Sequence, residues 1–164
     1  LEADPSKKRK FVKDSSDFED NLLFRPIGQT GILAPVARRL LNHFGVGSNS
    51  PEEDFRAALK PLSMIDWNLQ GDLWRDLLTV NTADAEGAEN WIMRSEERQK
   101  AVEKGRAIVM WLCGLENLSE DQLEELKKDW SFLLFNPHEP RNLREENTFA
   151  PLIKLRNKIL NECF

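Results

Sequence analysis

The residues of this chain whose types and spacing best suit chemistry are basic. Arg25 and Gln29 flank a Pro-Ile-Gly turn, and Arg38 and Arg39 follow on the predicted exposed side of a helix. A guanidinium group presents a planar fork of donors that matches phosphate oxygens and the edges of nucleic-acid bases. These four residues are therefore candidate DNA contacts. The alternative is that they form salt bridges and hydrogen bonds that fix the turn, because surface charges are usually just solvated.

A second basic group lies near the start of the sequence, at Lys7, Lys8, Arg9 and Lys10. Acidic residues follow it between positions 14 and 20. Such a basic run suits a phosphate-binding arm or a localisation signal, and it is also typical of a solvated terminal segment. We predict an extended, polar and charged arm over residues 1–20.

Patterns of catalysis and metal binding are absent from the sequence. His43 and His138 are the only histidines, and neither lies in a CxxC or HExxH context. No G-x-S-x-G, Walker or G-x-G-x-x-G motif occurs. Cys113 lies in an apolar run typical of a core, whereas Cys163 is expected to be structural or exposed. We therefore predict a non-catalytic protein without a metal or a cofactor.

The helix predicted to carry the arginine pair has an apolar stripe on its other side. Apolar residues recur every four positions at Ile32, Val36, Leu40 and Phe44. This spacing places them on one face of a helix. We expect a short strand over residues 22–24 and a break at Pro26 and Gly28. Thr30 should then cap the helix and Gly45 should end it.

A second helix is predicted with Ser50 as its cap and Pro51 at its first position, followed by an acidic first turn that favours the positive end of the helix dipole. Pro61 should end or kink this helix. An aromatic-rich cluster follows at Trp67, Leu69, Leu73, Trp74, Leu77 and Leu78. We expect it to be buried, and the alternative is that the tryptophans stack on a base or ligand. Residues 79–91 are expected to form a surface loop.

The longest helix is predicted over residues 95–113. Its first half is charged and its second half is almost wholly apolar, so it should enter the core at Ala107 and stop at Gly114. A capping-box sequence at residues 119–122 predicts another helix that presents an apolar face through residue 134. A last helix should begin near Asn147 or Thr148.

The composition is ordinary for one soluble globular domain. The chain has 164 residues, of which 40% are hydrophobic and 31% are charged. The net charge of −5 argues against a wholly basic nucleic-acid binder but allows a local basic face. No run approaches the roughly 20 apolar residues needed to cross a bilayer. Two cysteines fit a reducing compartment, and we predict a cytoplasmic protein.

These patterns predict an all-α fold. We expect an irregular bundle of about five or six helices in a single domain over residues 21–164, preceded by the charged arm. The sequence starts at Leu1 rather than at a methionine, so we expect it to be part of a longer protein.

Residues 21–29, Asn-Leu-Leu-Phe-Arg-Pro-Ile-Gly-Gln, followed by an apolar helix, resemble the C-terminal part of the DGQHR-domain, DndB-like family. Proteins of this family are accessory to bacterial DNA phosphorothioation. The Trp-bearing segment 74–78 and the helix over residues 98–115, which ends in Trp-Leu-Cys-Gly-Leu, are also similar, so the resemblance covers residues 22–115. The Asp-Gly-Gln-His-Arg motif itself is absent. The resemblance thus implies a C-terminal fragment or a truncated relative, and no activity of the missing part carries over.

The resemblance implies a role in DNA modification, either in transcription regulation of the modification genes or in binding to DNA or to the modification enzymes. The residues that match the family's motif are Phe24, Arg25, Pro26, Gly28 and Gln29. We predict a non-catalytic regulatory or accessory domain that binds DNA through the candidate contacts and the Lys7–Lys10 run. The alternative is a helical protein–protein interaction domain without nucleic-acid contact. The oligomeric state is left open.

Overall fold

The computed structural model describes residues 20–164 except 70, 72, 75–76, 82–86, 88–90, 120 and 123–140. For residues 80, 81, 91 and 141–151 only the backbone is described. The predicted arm before Asp20, with Lys7, Lys8, Arg9 and Lys10, lies outside these residues. The predicted helix over residues 123–134 and His138 also lie outside them.

The first helical segment begins earlier than predicted. A 3-10 turn, Leu22–Phe24, replaces the expected strand, and the Asn21 side chain caps it by accepting the Leu23 N–H at 2.9 Å. Pro26 then starts a helix instead of breaking one, since its fixed φ and missing N–H suit the first helical position. An α-turn (Pro26–Gly28), a π-turn (Gln29–Leu33) and a regular α-helix (Ala34–His43) follow without interruption. We call this segment, residues 26–43, α1.

Two expectations on the start of α1 are therefore wrong. Gly28 lies inside the helix, where it packs so closely on Leu22 that an added Cβ would overlap the Leu22 carbonyl oxygen. Thr30 is not a cap, because its hydroxyl donates to the Pro26 carbonyl at 2.8 Å from within the helix. The predicted stop at Gly45 is confirmed: Gly45 has a φ of 66°, and its N–H bonds back to the Asn42 carbonyl.

Helix α2 spans Glu52–Ser63 and has the predicted acidic first turn. Pro51 occupies the cap position predicted for Ser50, whose Oγ instead accepts the Gly47 N–H at 3.0 Å. Pro61 does not end the helix, which continues for two more residues. Pro61 lies in the last turn and is buried, so packing offsets its missing N–H.

The aromatic-rich cluster between α2 and the next helix is buried, as predicted. The Trp67 and Trp74 rings stack with their centroids 5.6 Å apart. Their indole N–H groups donate to the Leu62 and Asp66 carbonyls at 2.8 and 2.6 Å. Because both tryptophans pack inside the core, they form no platform for a base or ligand.

The predicted surface loop over residues 79–91 is wrong at its ends. Strand β1, Thr79–Asn81, pairs antiparallel with strand β2, Trp91–Met93, with Thr79 opposite Met93. This two-stranded ladder is the only sheet among the described residues.

Helix α3, Arg98–Leu112, begins three residues later than predicted, because Glu97 adopts a left-handed conformation with a φ of 51°. It is buried from Ala101 rather than from Ala107, which is half-buried. The earlier burial reflects its close crossing with α1. A Cβ on Gly31 of α1 would lie 2.5 Å from Val102 Cγ1, and the Gly31 carbonyl accepts a 3.5 Å bond from Arg106 of α3.

The predicted stop of α3 is confirmed. Gly114 has a φ of 68°, its N–H bonds to the Trp111 carbonyl, and the Leu115 N–H bonds to the Met110 carbonyl. The predicted capping box is also confirmed, since Ser119 and Gln122 each bond the backbone N–H of the other, at 3.0 and 3.2 Å.

Helix α4, Arg141–Cys163, begins six residues before the predicted start at Asn147. The stretch after Pro140, Arg-Asn-Leu-Arg-Glu-Glu, consists mainly of helix-favouring residues, so a cap-type residue at position 147 does not set the boundary.

The four helices enclose one core. Helix α1 packs on α2 and α3, and α4 packs on the same two helices. Fully buried side chains from α1, α3, α4 and the segments before α1 and after α2 meet there: Leu22, Ile32, Val36, Leu40, Trp74, Leu112 and Ile159. The all-α bundle is thus confirmed, with four helices among the described residues against the five or six predicted. In this described part, no helix combines the length and apolar character needed to span a membrane.

Candidate interaction surface

The carboxyl ends of the four helices meet around the last turn of α4. The Phe44 ring, at the end of α1, lies 5.3 Å from the Phe164 ring. At the end of α2, the Met64 Sδ accepts a bond from the Cys163 thiol at 3.5 Å. Gly114, just after α3, approaches Leu160 so closely that an added Cβ would lie 2.6 Å from its Cδ2. Side chains distant in sequence are therefore brought to one end of the bundle.

Basic side chains donate hydrogen bonds to backbone carbonyls at this end. Arg156 Nε of α4 donates to the Trp111 carbonyl at 3.0 Å, and its guanidinium lies over the Trp111 ring at 5.1 Å. Lys60 Nζ of α2 donates to the Glu162 carbonyl at 3.1 Å. The last carbonyls of a helix lack intrahelical partners and carry the negative end of its dipole, so cations stabilise them. These contacts hold neighbouring helix ends together.

An exposed aromatic cluster lies at the same end and consists of His43, Phe44 and Phe164. The His43 ring centroid is 5.3 Å from that of Phe44 and 5.6 Å from that of Phe164. Phe44 is 39% exposed and Phe164 is 51% exposed. The apolar stripe predicted Phe44 to be in the core. That prediction is wrong at its last position, because α1 ends at His43 and Phe44 begins the turn that leads away from the helix.

Arg38 and Arg39 are both exposed on α1, as their spacing predicts, whereas the neighbouring Val36 and Leu40 are buried. Arg39 Nη2 lies 3.4 Å from the Leu115 carbonyl, which is a long and exposed hydrogen bond. No hydrogen bond or ion pair links the Arg38 side chain to another residue in the part of the chain that the structure describes.

Arg25 and Gln29 lie at the other end of α1. Gln29 Nε2 donates to the Leu23 carbonyl at 2.7 Å and thereby ties the helix to the preceding 3-10 turn. Arg25 is half-buried, and its backbone carbonyl accepts the Gln29 N–H at 3.0 Å. A helical rise of about 1.5 Å per residue separates Gln29 from Arg39 by about 15 Å. The structure therefore does not gather the four candidate contacts into one site.

Both cysteines have the character of structural residues. Cys113 is fully buried, as predicted, and burial, with a smaller contribution from nearby Cys163, raises the pKa of its thiol to about 12. Cys163 is half-buried, and burial also raises the pKa of its thiol. Both thiols are thus poor nucleophiles at neutral pH. Among the described residues, no group of three or more His, Cys, Asp and Glu side chains could hold a metal ion.

Sequence reasoning missed the residues that build this surface at the helix ends. The partnership between Phe44 and Phe164 joins positions 120 residues apart (164 minus 44), and no local pattern encodes it. A partial signal exists for Lys60, which lies in the last turn of α2, since basic residues near helix carboxyl ends favour bonds to terminal carbonyls. Comparison of the chain with protein-family models, with curated proteins and with solved structures finds no match.

Proposed function

We propose that this chain is a non-catalytic accessory domain of a bacterial DNA-modification system, and that it contacts DNA through the arginine pair of α1. The proposal follows the DndB-like resemblance of residues 22–115. The observation that carries it is the position of Arg38 and Arg39, two consecutive and exposed arginines on a helix that buries Val36 and Leu40 in the core. Each guanidinium group can bind two phosphate oxygens in bidentate fashion.

The state of each arginine supports this role. The Arg38 side chain is joined to no other described residue by a hydrogen bond or ion pair, so a phosphate need not displace an existing partner. Among the described residues, the Arg39 side chain contacts the Leu115 carbonyl through a long, exposed bond, which a charge-assisted bond to phosphate outweighs. Gln29, in contrast, is committed to the Leu23 carbonyl, so we assign it to positioning the start of α1. The contact surface therefore centres on the second half of α1.

The test is fluorescence anisotropy of the chain with labelled duplex DNA, at low salt and at about 0.15 M salt. Binding should weaken steeply with salt, because protein cations displace counterions from the phosphates. Arg38→Ala and Arg39→Ala should each lower affinity and reduce the salt slope by about one. Arg56→Ala is the matched control, since Arg56 is an exposed arginine already paired with Glu52 at 2.6 Å.

A thermal melt of each variant shows whether it is still folded. The melting temperature should change little, because both arginines are exposed. Loss of binding in Arg56→Ala equal to that in the α1 variants would remove the arginine pair from the proposal. Absence of salt-dependent DNA binding in the unaltered chain would overturn the DNA role altogether.

A second candidate function is a helical protein–protein interaction domain, and the exposure of Phe44 and Phe164 favours it. Exposed aromatic rings that contact each other are typical anchors of protein interfaces. A complex built on them should survive raised salt, whereas a DNA complex should dissociate. Salt-resistant recovery of one defined host protein, abolished by Phe44→Ala, would support this candidate over DNA binding.

A further inference from the structure

We draw no further inference here: the strongest candidate, the exposed aromatic cluster of His43, Phe44 and Phe164 at the carboxyl end of the bundle, carries nothing because its rings pack on one another and nothing in the structure shows what covers them.

Discussion

At the residue scale, the described arginines include some that bond to helix ends and some whose side chains are exposed to solvent. Arg156 belongs to the first group through its bond to the Trp111 carbonyl and its position over the Trp111 ring. Arg38 belongs to the second, since it is exposed on α1. Sequence spacing predicts that both are off the apolar stripe of their helix, but it does not separate the two roles.

Arg156→Ala should therefore lower the free energy of unfolding by about 1–2 kcal/mol, since it removes a half-buried hydrogen bond and a cation–π contact. Lys154→Ala is the control, because Lys154 is exposed on the same helix, and a change within about 0.5 kcal/mol is expected. Urea denaturation followed by circular dichroism measures both. Equal losses in the two variants would mean that the Trp111 contacts contribute nothing to stability.

The thiols give a second prediction at this scale, in which pH is the variable. Burial raises the pKa of Cys113 from 9.0 to about 12, so the folded state binds this proton more tightly than the unfolded state. The resulting stabilisation is complete below about pH 9 and is lost as pH rises towards about 12. The free energy of unfolding should thus fall more steeply over this range in the unaltered chain than in Cys113→Ala.

A thiol-reactive dye provides the corresponding kinetic measurement. At mildly alkaline pH the half-buried Cys163 should react first, and the buried Cys113 should react only at the rate of unfolding. Rapid labelling of two thiols in the folded chain would contradict the buried placement of Cys113. The same would follow if the free energy of unfolding depended equally on pH in the unaltered chain and in Cys113→Ala.

At the element scale, α1 depends on a close approach at Gly28. A Cβ there would overlap the Leu22 carbonyl oxygen and lie 2.6 Å from Leu22 Cγ, and a backbone atom cannot move aside as a flexible side chain can. Gly28→Ala should therefore cost about 2 kcal/mol or more, even though alanine favours helices. Gly47→Ala is the matched control, since nothing lies within 4 Å of the added Cβ. Thermal denaturation of the two variants compares them directly, and similar melting temperatures would argue against the close packing of α1 on its 3-10 turn.

The same region shows what sequence could and could not predict about the elements. The apolar stripe, the stops at Gly45 and Gly114 and the Ser119 capping box follow local rules and are confirmed. The positions where the helices start do not follow these local rules. Pro26 is compatible with a break or with a first helical position, and the packing of Leu22 under Gly28 decides between them.

The candidate surface was predictable only in part, for a similar reason. Helical periodicity places Arg38 and Arg39 outside, and they are exposed. The same periodicity places Phe44 inside, but the helix ends one residue earlier and the period no longer applies. The contact of Phe44 with Phe164 depends on how α1 and α4 are assembled, which local patterns do not encode.

At the scale of the whole molecule, the four helices share one core rather than forming separate units. Ile32 of α1 and Ile159 of α4 are both fully buried in the same cluster, although 127 positions (159 minus 32) separate them in sequence. The buried tryptophans belong to that cluster, so their fluorescence reports the packing of the core. Contacts between distant segments must therefore form together.

We expect unfolding to be a single cooperative transition. Ile32→Ala and Ile159→Ala should each lower the free energy of unfolding by about 2–5 kcal/mol, because each leaves a cavity in the shared core. Tryptophan fluorescence and far-ultraviolet circular dichroism should give coincident urea transitions in both variants. Ile153→Ala, an exposed position on α4, should change the midpoint little. If Ile159→Ala shifted only the circular dichroism transition and left tryptophan fluorescence unchanged, α4 would unfold separately from the remaining helices. The contact between Phe44 and Phe164 would then exist only while α4 is docked, and it would depend on that local equilibrium rather than on the stability of the whole domain.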